Sequence, residues 1–473
     1  MTTAAVNLES TNDLSTIEAE IQEVLQELVR TNEREDRLTN GLEVEEIEQE
    51  IVKLTDQLAG LMIAQKVQQS LDRVEIKEEG IKLVKSYPKK MKEQGPREVR
   101  IRFCRGEGVT IKTGYYSQAG KKRGKKKRSG FYPGLILLGI HERCSPALIS
   151  EVGKLSAALS SFEEVEQVLT DRGFELDDKT IRTIALSFAQ RVKMAQTAEI
   201  AGDFAETVEG RRVVISTDGG RVRIRQDKPG RKTNKGRRRF KAEWREPKLL
   251  IIYTVDETGK RERTFMPLID GTLKGPDAVF GLLKYYLTKL GLDQAAKVLF
   301  VADGARWIWL RVQRLMSSLG IQQWYELVDF YHVVEHLGKI ASLQQGWGSS
   351  QRKRWCNKHR RLLLKGQVEQ VIAAIRRLCP PKCPQELRRE LNYFVRNRRR
   401  MAYPTISQMG LPIGSGAMES AIRRVINLRL KGASIYWLEE TAEAMIRLRS
   451  FFKAGRWHLL KKLVFSGPLT NFV

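Results

Sequence analysis

Two aspartates in this chain, Asp218 and Asp303, each follow a short apolar run and precede a glycine. The runs Val213–Thr217 and Lys297–Ala302 have the length and β-branched content of buried strands. A single Asp-Gly after a strand is also a common turn signal or helix cap. Two buried carboxylates side by side, however, repel each other unless hydrogen bonds or a cation offset their charge. The pair therefore predicts a site for divalent cations.

Glu419 is the candidate for a third carboxylate, because it follows the loop Gly414-Ser415-Gly416 at the start of a helical pattern. With Ser415 as the expected N-cap, Glu419 falls in the first helical turn, where the helix dipole favours an ionised acid. Arg423 and Asn427 recur at i+4 and i+8, a stripe suited to a phosphate backbone. The alternative is a surface Glu419 paired with Arg423.

The elements that must position these acids begin at residue 211. Three strands are predicted first, then helix, strand, helix and strand: Val213–Thr217, Lys248–Val255, Thr264–Ile269, Ala278–Leu290, Lys297–Ala302, the helix opened by Asp303-Gly304, and Trp324–Val328. This is the element order of the RNase H-like α/β fold, a mixed five-stranded sheet in the order 3-2-1-4-5. Its first, fourth and fifth strands run parallel about 4.8 Å apart, so Asp218 and Asp303 should share cations.

Charge is distributed unevenly over the 473 residues. The net charge is +27, but residues 1–80 hold 19 Asp and Glu against 7 Lys and Arg. A polyanionic partner is expected for the remainder, with nucleic acid ahead of a membrane surface.

Five scattered cysteines argue against a disulfide framework and for a reducing compartment. The N-terminus lacks a basic start and an apolar core, and the longest apolar run, near Leu135–Leu138, is too short for a bilayer. We expect no membrane role and a cytoplasmic, nucleoid-associated location.

Five segments are predicted along the chain. Residues 1–90 form an acidic helical segment whose two helices break near Asn40-Gly41; they pack on their own chain or associate as a coiled coil. Residues 91–210 hold a β-hairpin over 97–118, a basic arm and helices, one starting at Ser160 or Ser161. Residues 211–330 form the first part of the core, 331–410 an all-α insertion and 411–473 the helix of Glu419 and a tail.

Two basic stretches are candidate phosphate-binding arms, Gly120–Gly130 and the loop Arg221–Lys241. Each is otherwise a solvated loop. Within the insertion, Val368–Leu378 and Leu387–Arg399 are basic amphipathic helices that either grip DNA or simply pack. The candidate phosphate-contacting residues are Lys121, Lys122, Arg123, Lys125, Lys126, Lys127, Arg128, Arg231, Lys235, Arg237, Arg238, Arg239, Arg423, Asn427 and Lys431.

Several motifs occur together in a characteristic order: ISTDGG, FVADGARWIW, LVDFYHVVEHL, NYFVRNRRRMAYP and LPIGSGAMESAIRRVINLRLKG. With them, residues 211–440 resemble the catalytic domain of DDE transposases of bacterial insertion sequences, most nearly the ISKra-type group. The resemblance implies that Asp218, Asp303 and Glu419 form the acidic triad. It also implies that Asp329 and His332, an Asp-x-x-His signature, lie beside the active site.

The resemblance further implies two Mg²⁺ or Mn²⁺ ions per site, about 3.5–4 Å apart, that promote attack of water and then of a 3′-hydroxyl on a phosphodiester. The partners would be double-stranded element ends (terminal inverted repeats) and target DNA, bound by a homodimer or larger assembly. Paired cysteines that relatives carry after a Tyr-Tyr are missing after Tyr115-Tyr116, so no zinc is expected. The His332/His336 pair also lacks a third ligand for a metal site of its own. Two alternatives remain, a structure-specific nuclease on the same fold and a DNA-binding protein without catalysis.

Overall fold

The computed structural model describes residues 11–35, 38–119, 130–197, 206–234, 236, 238–433 and 435–465. The chain divides into two compact units, residues 1–200 with 461–473, and residues 201–460. One boundary between the units falls within the predicted segment 91–210, and the other falls within the last helix, in the predicted segment 411–473. No helix in the described part of the chain is long and apolar enough to cross a membrane.

Unit 1 combines helices with a small antiparallel sheet. Its helices are Thr11–Glu33 (α1), Gly41–Asp72 (α2), Val74–Ser86 (α3), Pro133–Leu137 (α4), Pro146–Ala158 (α5), Phe162–Thr170 (α6) and Asp178–Thr197 (α7). Its strands are Met91–Ile101 (β1), Val109–Gln118 (β2) and Gly130–Phe131 (β3), in the order β1-β2-β3. The predicted pair of acidic helices and the β-hairpin are confirmed.

The two acidic helices of unit 1 pack on each other and on the hairpin. Asn40 caps α2, since its side chain accepts from the N–H groups of Leu42 and Glu43, as the break in the apolar pattern indicated. Ser161 likewise caps α6 by accepting from Glu164 N at 2.9 Å. One apolar cluster joins the helices to the hairpin: Ile17, Val24, Leu61, Ala64, Leu71, Val99, Ile101, Phe103, Val109 and Ile111. This contact buries part of the apolar stripe of the helices, whereas Leu25, Val44 and Ile51 remain exposed.

Unit 2 is an α/β unit with a helical insertion. Its strands are Arg212–Gly219 (β4), Val222–Asp227 (β5), Phe240–Arg245 (β6), Lys248–Val255 (β7), Leu268–Thr272 (β8), Lys297–Ala302 (β9) and Tyr325–Val328 (β10). Its helices are Pro276–Lys289 (α8), Arg306–Ser318 (α9), Phe330–Ser342 (α10), Ser349–Leu364 (α11), Val368–Arg377 (α12), Gln385–Asn397 (α13), Tyr403–Gln408 (α14), Gly416–Ile422 (α15) and Glu439–Lys453 (α16). The last helix, Trp457–Phe465 (α17), crosses the boundary between units.

The main sheet of unit 2 has five strands in the order β10-β9-β4-β7-β8. β4 pairs antiparallel with β7, and β7 antiparallel with β8; β4 and β10 both run parallel to β9. Counted within this sheet alone, the order is 3-2-1-4-5; the chain numbering differs because β1–β3 and the pair β5–β6 belong to other sheets. The predicted mixed five-stranded sheet is confirmed.

Two predictions about this region need correction. The third strand lies at Leu268–Thr272 and not at Thr264–Ile269, because the carbonyls of Met266 and Pro267 accept from the buried Arg456 guanidinium and not from a neighbouring strand. The basic segment between the first two strands is not a plain loop. It forms a separate two-stranded β-ribbon, β5–β6, that pairs in register from Val222 with Arg245 to Asp227 with Phe240.

The insertion after β10 is all-helical, as predicted. Helices α10 to α14 pack on one another, and α13 lies against α10. Trp347 and Trp355 lie with their ring centroids 5.9 Å apart, and Trp355 also packs on His359 at 4.1 Å. These two tryptophans therefore contribute to the packing of the insertion.

Candidate active site

Three parallel strands of the main sheet end in aspartate at matching heights. Ile215 of β4 pairs with Phe300 of β9, and three residues further along each strand lie Asp218 and Asp303. Because parallel strands advance together, the two carboxylates leave the sheet at the same edge. The structure therefore brings the predicted pair together.

Asp329 occupies the corresponding position on the third parallel strand. Val328 of β10 pairs with Ala302, so Asp329 and Asp303 are the next residues of the two strands. The Asp329 side chain is fully buried and accepts from His332 N at 2.9 Å and from the N–H and hydroxyl of Ser415. These bonds satisfy its charge within the protein, so Asp329 organises the edge of the sheet.

The ionised form of the Asp218 carboxyl group is destabilised by its surroundings. Burial, and then the like charge of Asp303, raise the pKa of Asp218 to about 6, against the opposing effects of the Gly219 N–H, His332 and Lys248. The Gly219 N–H donates to Asp218 Oδ1 at 2.6 Å. A carboxylate short of positive charge in this way is stabilised by any cation that binds it.

Asp303 is anchored by its own loop and faces a cleft. Its Oδ1 accepts from Ala305 N at 3.0 Å, and its carbonyl accepts from the indole N–H of Trp309 at 2.8 Å. Ala305, and not Asp303, is the N-cap of α9, so the Asp303 carboxylate does not cap that helix. The turn interpretation thus accounts for the hydrogen bond at Oδ1 of Asp303.

The donor set fits a hard divalent cation at two of the three predicted positions. Asp218 and Asp303 supply carboxylate oxygens, the ligands that Mg²⁺ and Mn²⁺ prefer. Among the residues that the structure describes, no three His, Cys, Asp or Glu side chains lie close enough to hold one ion. Glu419 in particular is exposed and does not complete a three-acid cluster.

Glu419 nevertheless lies on a helix that is tied to this edge. Its helix, α15, packs against β4 and β7, with Met418 and Ala421 buried. The loop before the helix is fixed to the end of β10, because Phe330 N donates to Ile413 O at 3.0 Å. Glu419 therefore lies within one helical turn of the loop that contacts Asp329.

Ser415 plays a different part from the one predicted. It occupies the N-cap position of α15, but its side chain does not cap the helix. Its hydroxyl donates to Asp329 Oδ2 at 2.5 Å instead. A buried, ionised aspartate is a strong acceptor, which favours this orientation of the hydroxyl.

The predicted basic stripe after Glu419 is interrupted. Residues Arg423–Asn427 form a π-helical turn, which has more residues per turn than an α-helix and so breaks the i+4 and i+8 alignment. Arg423, Asn427 and Lys431 are all exposed, but they do not form one α-helical stripe. The same turn packs Ile426 against Gly220, where an added Cβ would lie 2.5 Å from the Ile426 side chain.

A basic cleft of about 610 Å³ opens beside Asp303. It runs between α10 and α13, and its lining includes Asp303, His332, Lys339, Arg388, Arg389 and Arg396. Arg396 also donates to the carbonyl of Gly304 at 3.3 Å, which ties α13 to the turn after Asp303. The positive charge of the cleft suits a phosphate backbone that approaches the two aspartates.

His332 and His336, the Asp-x-x-His histidine and its neighbour one turn on, have different surroundings. His332 is partly exposed at the cleft and close enough to lower the pKa of Asp218. His336 Nδ1 lies 2.5 Å from Glu390 Oε2, and its ring stacks on Tyr393 at 3.7 Å. His336 is therefore part of the packing between α10 and α13.

The other predicted phosphate contacts divide between exposed and undescribed positions. Arg231, Arg238 and Arg239 are exposed near the tip of the β-ribbon. The following predicted residues lie outside the described residues: Lys121, Lys122, Arg123, Lys125, Lys126, Lys127, Arg128, Lys235 and Arg237.

Sequence reasoning missed two side chains of the site. Lys248, only 6% exposed, lies with Nζ 2.6 Å from Glu246 Oε1 and 4.3 Å above the Trp307 ring, and it stabilises ionised Asp218. Tyr393 lines the cleft with a buried hydroxyl that has no partner among the described residues. A lysine that begins an otherwise apolar strand was a usable signal for Lys248, whereas Tyr393 is brought in only by the packing of α13.

Comparison of the chain with protein-family models, with curated proteins and with solved structures finds no match.

Proposed function

We propose that the chain is a DNA transposase of the DDE type, which cleaves and joins phosphodiester bonds with divalent cations on an RNase H-like core. The observation that carries the proposal is the pair Asp218 and Asp303. Two carboxylates leave adjacent parallel strands at one height, and burial, followed by the like charge of Asp303, raises the pKa of Asp218 to about 6. Such a pair is costly unless a cation binds it.

The architecture around the pair supports the same proposal. Three antiparallel strands lead into two parallel ones through helices, which is the order expected of an RNase H-like core. A helical insertion follows the fifth strand, and the helix of Glu419 returns to β4 and β7. Glu419 is the proposed third acid, and the latch between Ser415 and Asp329 fixes the start of its helix.

In the proposed mechanism, the residues of the chain bind the cations, orient the DNA backbone and neutralise phosphate charge. Asp218 and Asp303 would hold the ions, with Glu419 contributing to the second. Bound Mg²⁺ or Mn²⁺ would supply an activated water and stabilise charge at the scissile phosphate. Lys339, Arg388 and the other basic side chains of the cleft would orient the DNA phosphate backbone by contacts that do not read sequence.

The proposed partners are double-stranded element ends and target DNA, bound by at least two protomers because two ends must be joined. The proposed location is the bacterial cytoplasm, where this DNA lies. The net charge of +27 supports a polyanionic partner of this kind.

The test is strand cleavage and joining on duplex DNA taken from the borders of the gene, with supercoiled plasmid as target. We expect Mg²⁺- or Mn²⁺-dependent nicking and joining that EDTA abolishes. Asp218→Asn, Asp303→Asn and Glu419→Gln should each lower both rates by about 10³-fold, since each removes a ligand worth several kcal/mol.

The matched control is Asp293→Asn, an exposed acid that precedes β9 at the end of that strand opposite Asp303. Undiminished joining by Asp218→Asn would overturn the proposal. Cleavage without joining by the wild type would favour the structure-specific nuclease, and DNA binding without either reaction would favour the protein without catalysis.

A further inference from the structure

The β-ribbon β5–β6 carries an exposed aromatic surface. Phe240 is 39% exposed, Trp244 55% and Tyr436 38%. Phe240 and Tyr436 meet edge to face with ring centroids 5.2 Å apart. Large aromatic side chains grouped in this way and left open to solvent mark a binding surface more often than chance.

Arginines alternate with these rings. The Arg223 guanidinium lies 5.4 Å from the Trp244 centroid and 4.9 Å from that of Tyr436, and Arg225 lies 5.9 Å from Phe240. We call these five residues the aromatic face. Each ring thus has a cation beside it, while part of the ring remains open.

The aromatic face has a firm support behind it. Trp437 pairs with the ribbon, since its N–H donates to Arg223 O at 2.9 Å and its carbonyl accepts from Arg225 N at 2.8 Å. Ile224 and Trp437 are buried. Arg223 also donates to the carbonyl of Gly432. The rings are therefore presented by a fixed backbone, which lowers the entropy cost of binding.

The charge of the ribbon selects the partner. Residues 221–245 contain twelve Lys or Arg and two Asp or Glu. A cleft of about 1110 Å³ at its tip has a lining that includes Arg225, Lys228, Arg238, Arg239 and Phe240. Aromatic rings with arginines also occur at protein interfaces, but lysine is depleted there and the interface core holds few charged residues. The excess fits a polyanion.

We propose that the aromatic face binds a DNA strand with unpaired bases, with the rings stacking on bases and the arginines contacting phosphates. An intact duplex already stacks its own bases and offers the rings no partner, whereas a melted or single-stranded end does. The proposal rests on the function proposed above and deepens it. β5 begins four residues after Asp218, so the ribbon would hold the displaced strand beside the cleaved one.

The test measures binding in EDTA, where no strand is cut, so that its outcome is independent of catalysis. The probe is a mixed-sequence 12-nucleotide single strand with a central 2-aminopurine, whose fluorescence falls on stacking; a blunt hairpin duplex of the same composition is the comparison. Trp244→Leu and Phe240→Ala should each weaken single-strand binding about tenfold and relieve the quenching. Duplex affinity should change less than twofold.

Trp244→Phe is the matched rescue variant, because it keeps a ring for stacking while the leucine variant keeps only apolar bulk. Leu310→Ala, an exposed apolar position on α9, controls for general surface effects, and thermal unfolding establishes that each variant is folded. Equal single-strand binding by wild type and Trp244→Leu would overturn the proposal. If Trp244→Leu changed the protein from a dimer to a monomer while DNA binding stayed unchanged, the proposal would also be overturned. The aromatic face would then be assigned to contact with a second copy of the chain. Loss of stacking in Trp244→Leu together with a wild type that neither cuts nor joins DNA would overturn the proposed function alone.

Discussion

The carboxyl group of Asp218 costs the folded protein free energy whenever it is ionised without a bound cation. Its pKa is raised from 3.8 to about 6, first by burial and then by Asp303. Below pH 3.8 the group is protonated in both folded and unfolded chains and has no effect. As the pH rises towards 6 the unfolded chain loses its proton first, so stability falls. Above pH 6 the full cost, about 2–3 kcal/mol, is present.

We therefore expect Asp218→Asn to stabilise the protein in EDTA at pH 7.5 by about 2–3 kcal/mol, because asparagine keeps the acceptor for the Gly219 N–H without the charge. The midpoint of thermal unfolding of unit 2 should rise by about 4 °C or more. At pH 3.5 the difference should vanish. Thermal melts of wild type and variant across this pH range provide the measurement.

Mg²⁺ should reverse the order of the melting temperatures of wild type and Asp218→Asn. The ion binds the folded wild type and raises its melting temperature with concentration, whereas Asp218→Asn should respond little. Asp293→Asn, an exposed acid on the same unit, should behave as wild type throughout. A wild-type melting temperature that is independent of Mg²⁺ up to 20 mM would contradict the assignment of Asp218 as a cation ligand.

Among the elements, β10 and α15 are joined by the latch, the pair of hydrogen bonds from Ser415 to Asp329, which determines where the helix of Glu419 begins. Asp329 is fully buried and accepts two of its bonds from Ser415. A buried carboxylate that loses a charge-assisted hydrogen bond is costly, and the loop that holds it loosens. The latch thus couples stability of the sheet edge to placement of the third acid.

Ser415→Ala should accordingly lower the free energy of unfolding by about 1–3 kcal/mol. It should also lower the rate of strand cleavage while duplex affinity stays unchanged, because the basic cleft is intact. Denaturant melts and cleavage assays measure the two effects. Ser420→Ala, an exposed serine on the same helix, is the control. A stability loss without any change in cleavage rate would show that the latch does not position Glu419.

The sequence predicts the elements best where local pattern and tertiary packing agree. The strand Lys297–Ala302 and the helix α12 lie within one residue of their predicted bounds. The predictions were wrong or incomplete where a distant residue decides the local structure. Arg456, about 190 residues further along the chain, donates hydrogen bonds to the carbonyls of the residues before β8, so that strand begins later than predicted. The register that aligns Asp218 with Asp303 followed from topology, whereas the bond from Ser415 to Asp329 required the folded loop.

At the scale of the whole molecule, the charge is separated along the chain. Residues 1–80 carry an excess of twelve negative charges, and the remainder carries a larger excess of positive ones. Like charges on one surface repel, and a positive excess of this size favours association with a polyanion such as DNA. The acidic helices pack on the hairpin of unit 1.

Binding of duplex DNA should therefore depend steeply on salt, because each phosphate contact releases counterions and contributes about 0.9 to the slope of log K against log salt. Lys125, Lys126 and Lys127 lie in the most basic stretch of the sequence, and replacing all three by serine should reduce the magnitude of the slope by up to about three units. Replacement of three exposed lysines of α3, Lys77, Lys82 and Lys85, removes the same charge from the acidic region and should leave the slope unchanged.

Fluorescence anisotropy with a labelled duplex between about 50 and 300 mM KCl measures both slopes. Equal slopes for the two triple variants would mean that net charge alone attracts the duplex, without a localised contact from Lys125–Lys127. A reduced slope in the first variant alone, with the Mg²⁺ dependence of cleavage retained, would separate DNA capture from the chemistry at Asp218 and Asp303. Capture and catalysis would then reside in different stretches of the chain, as their separate positions in the sequence predict.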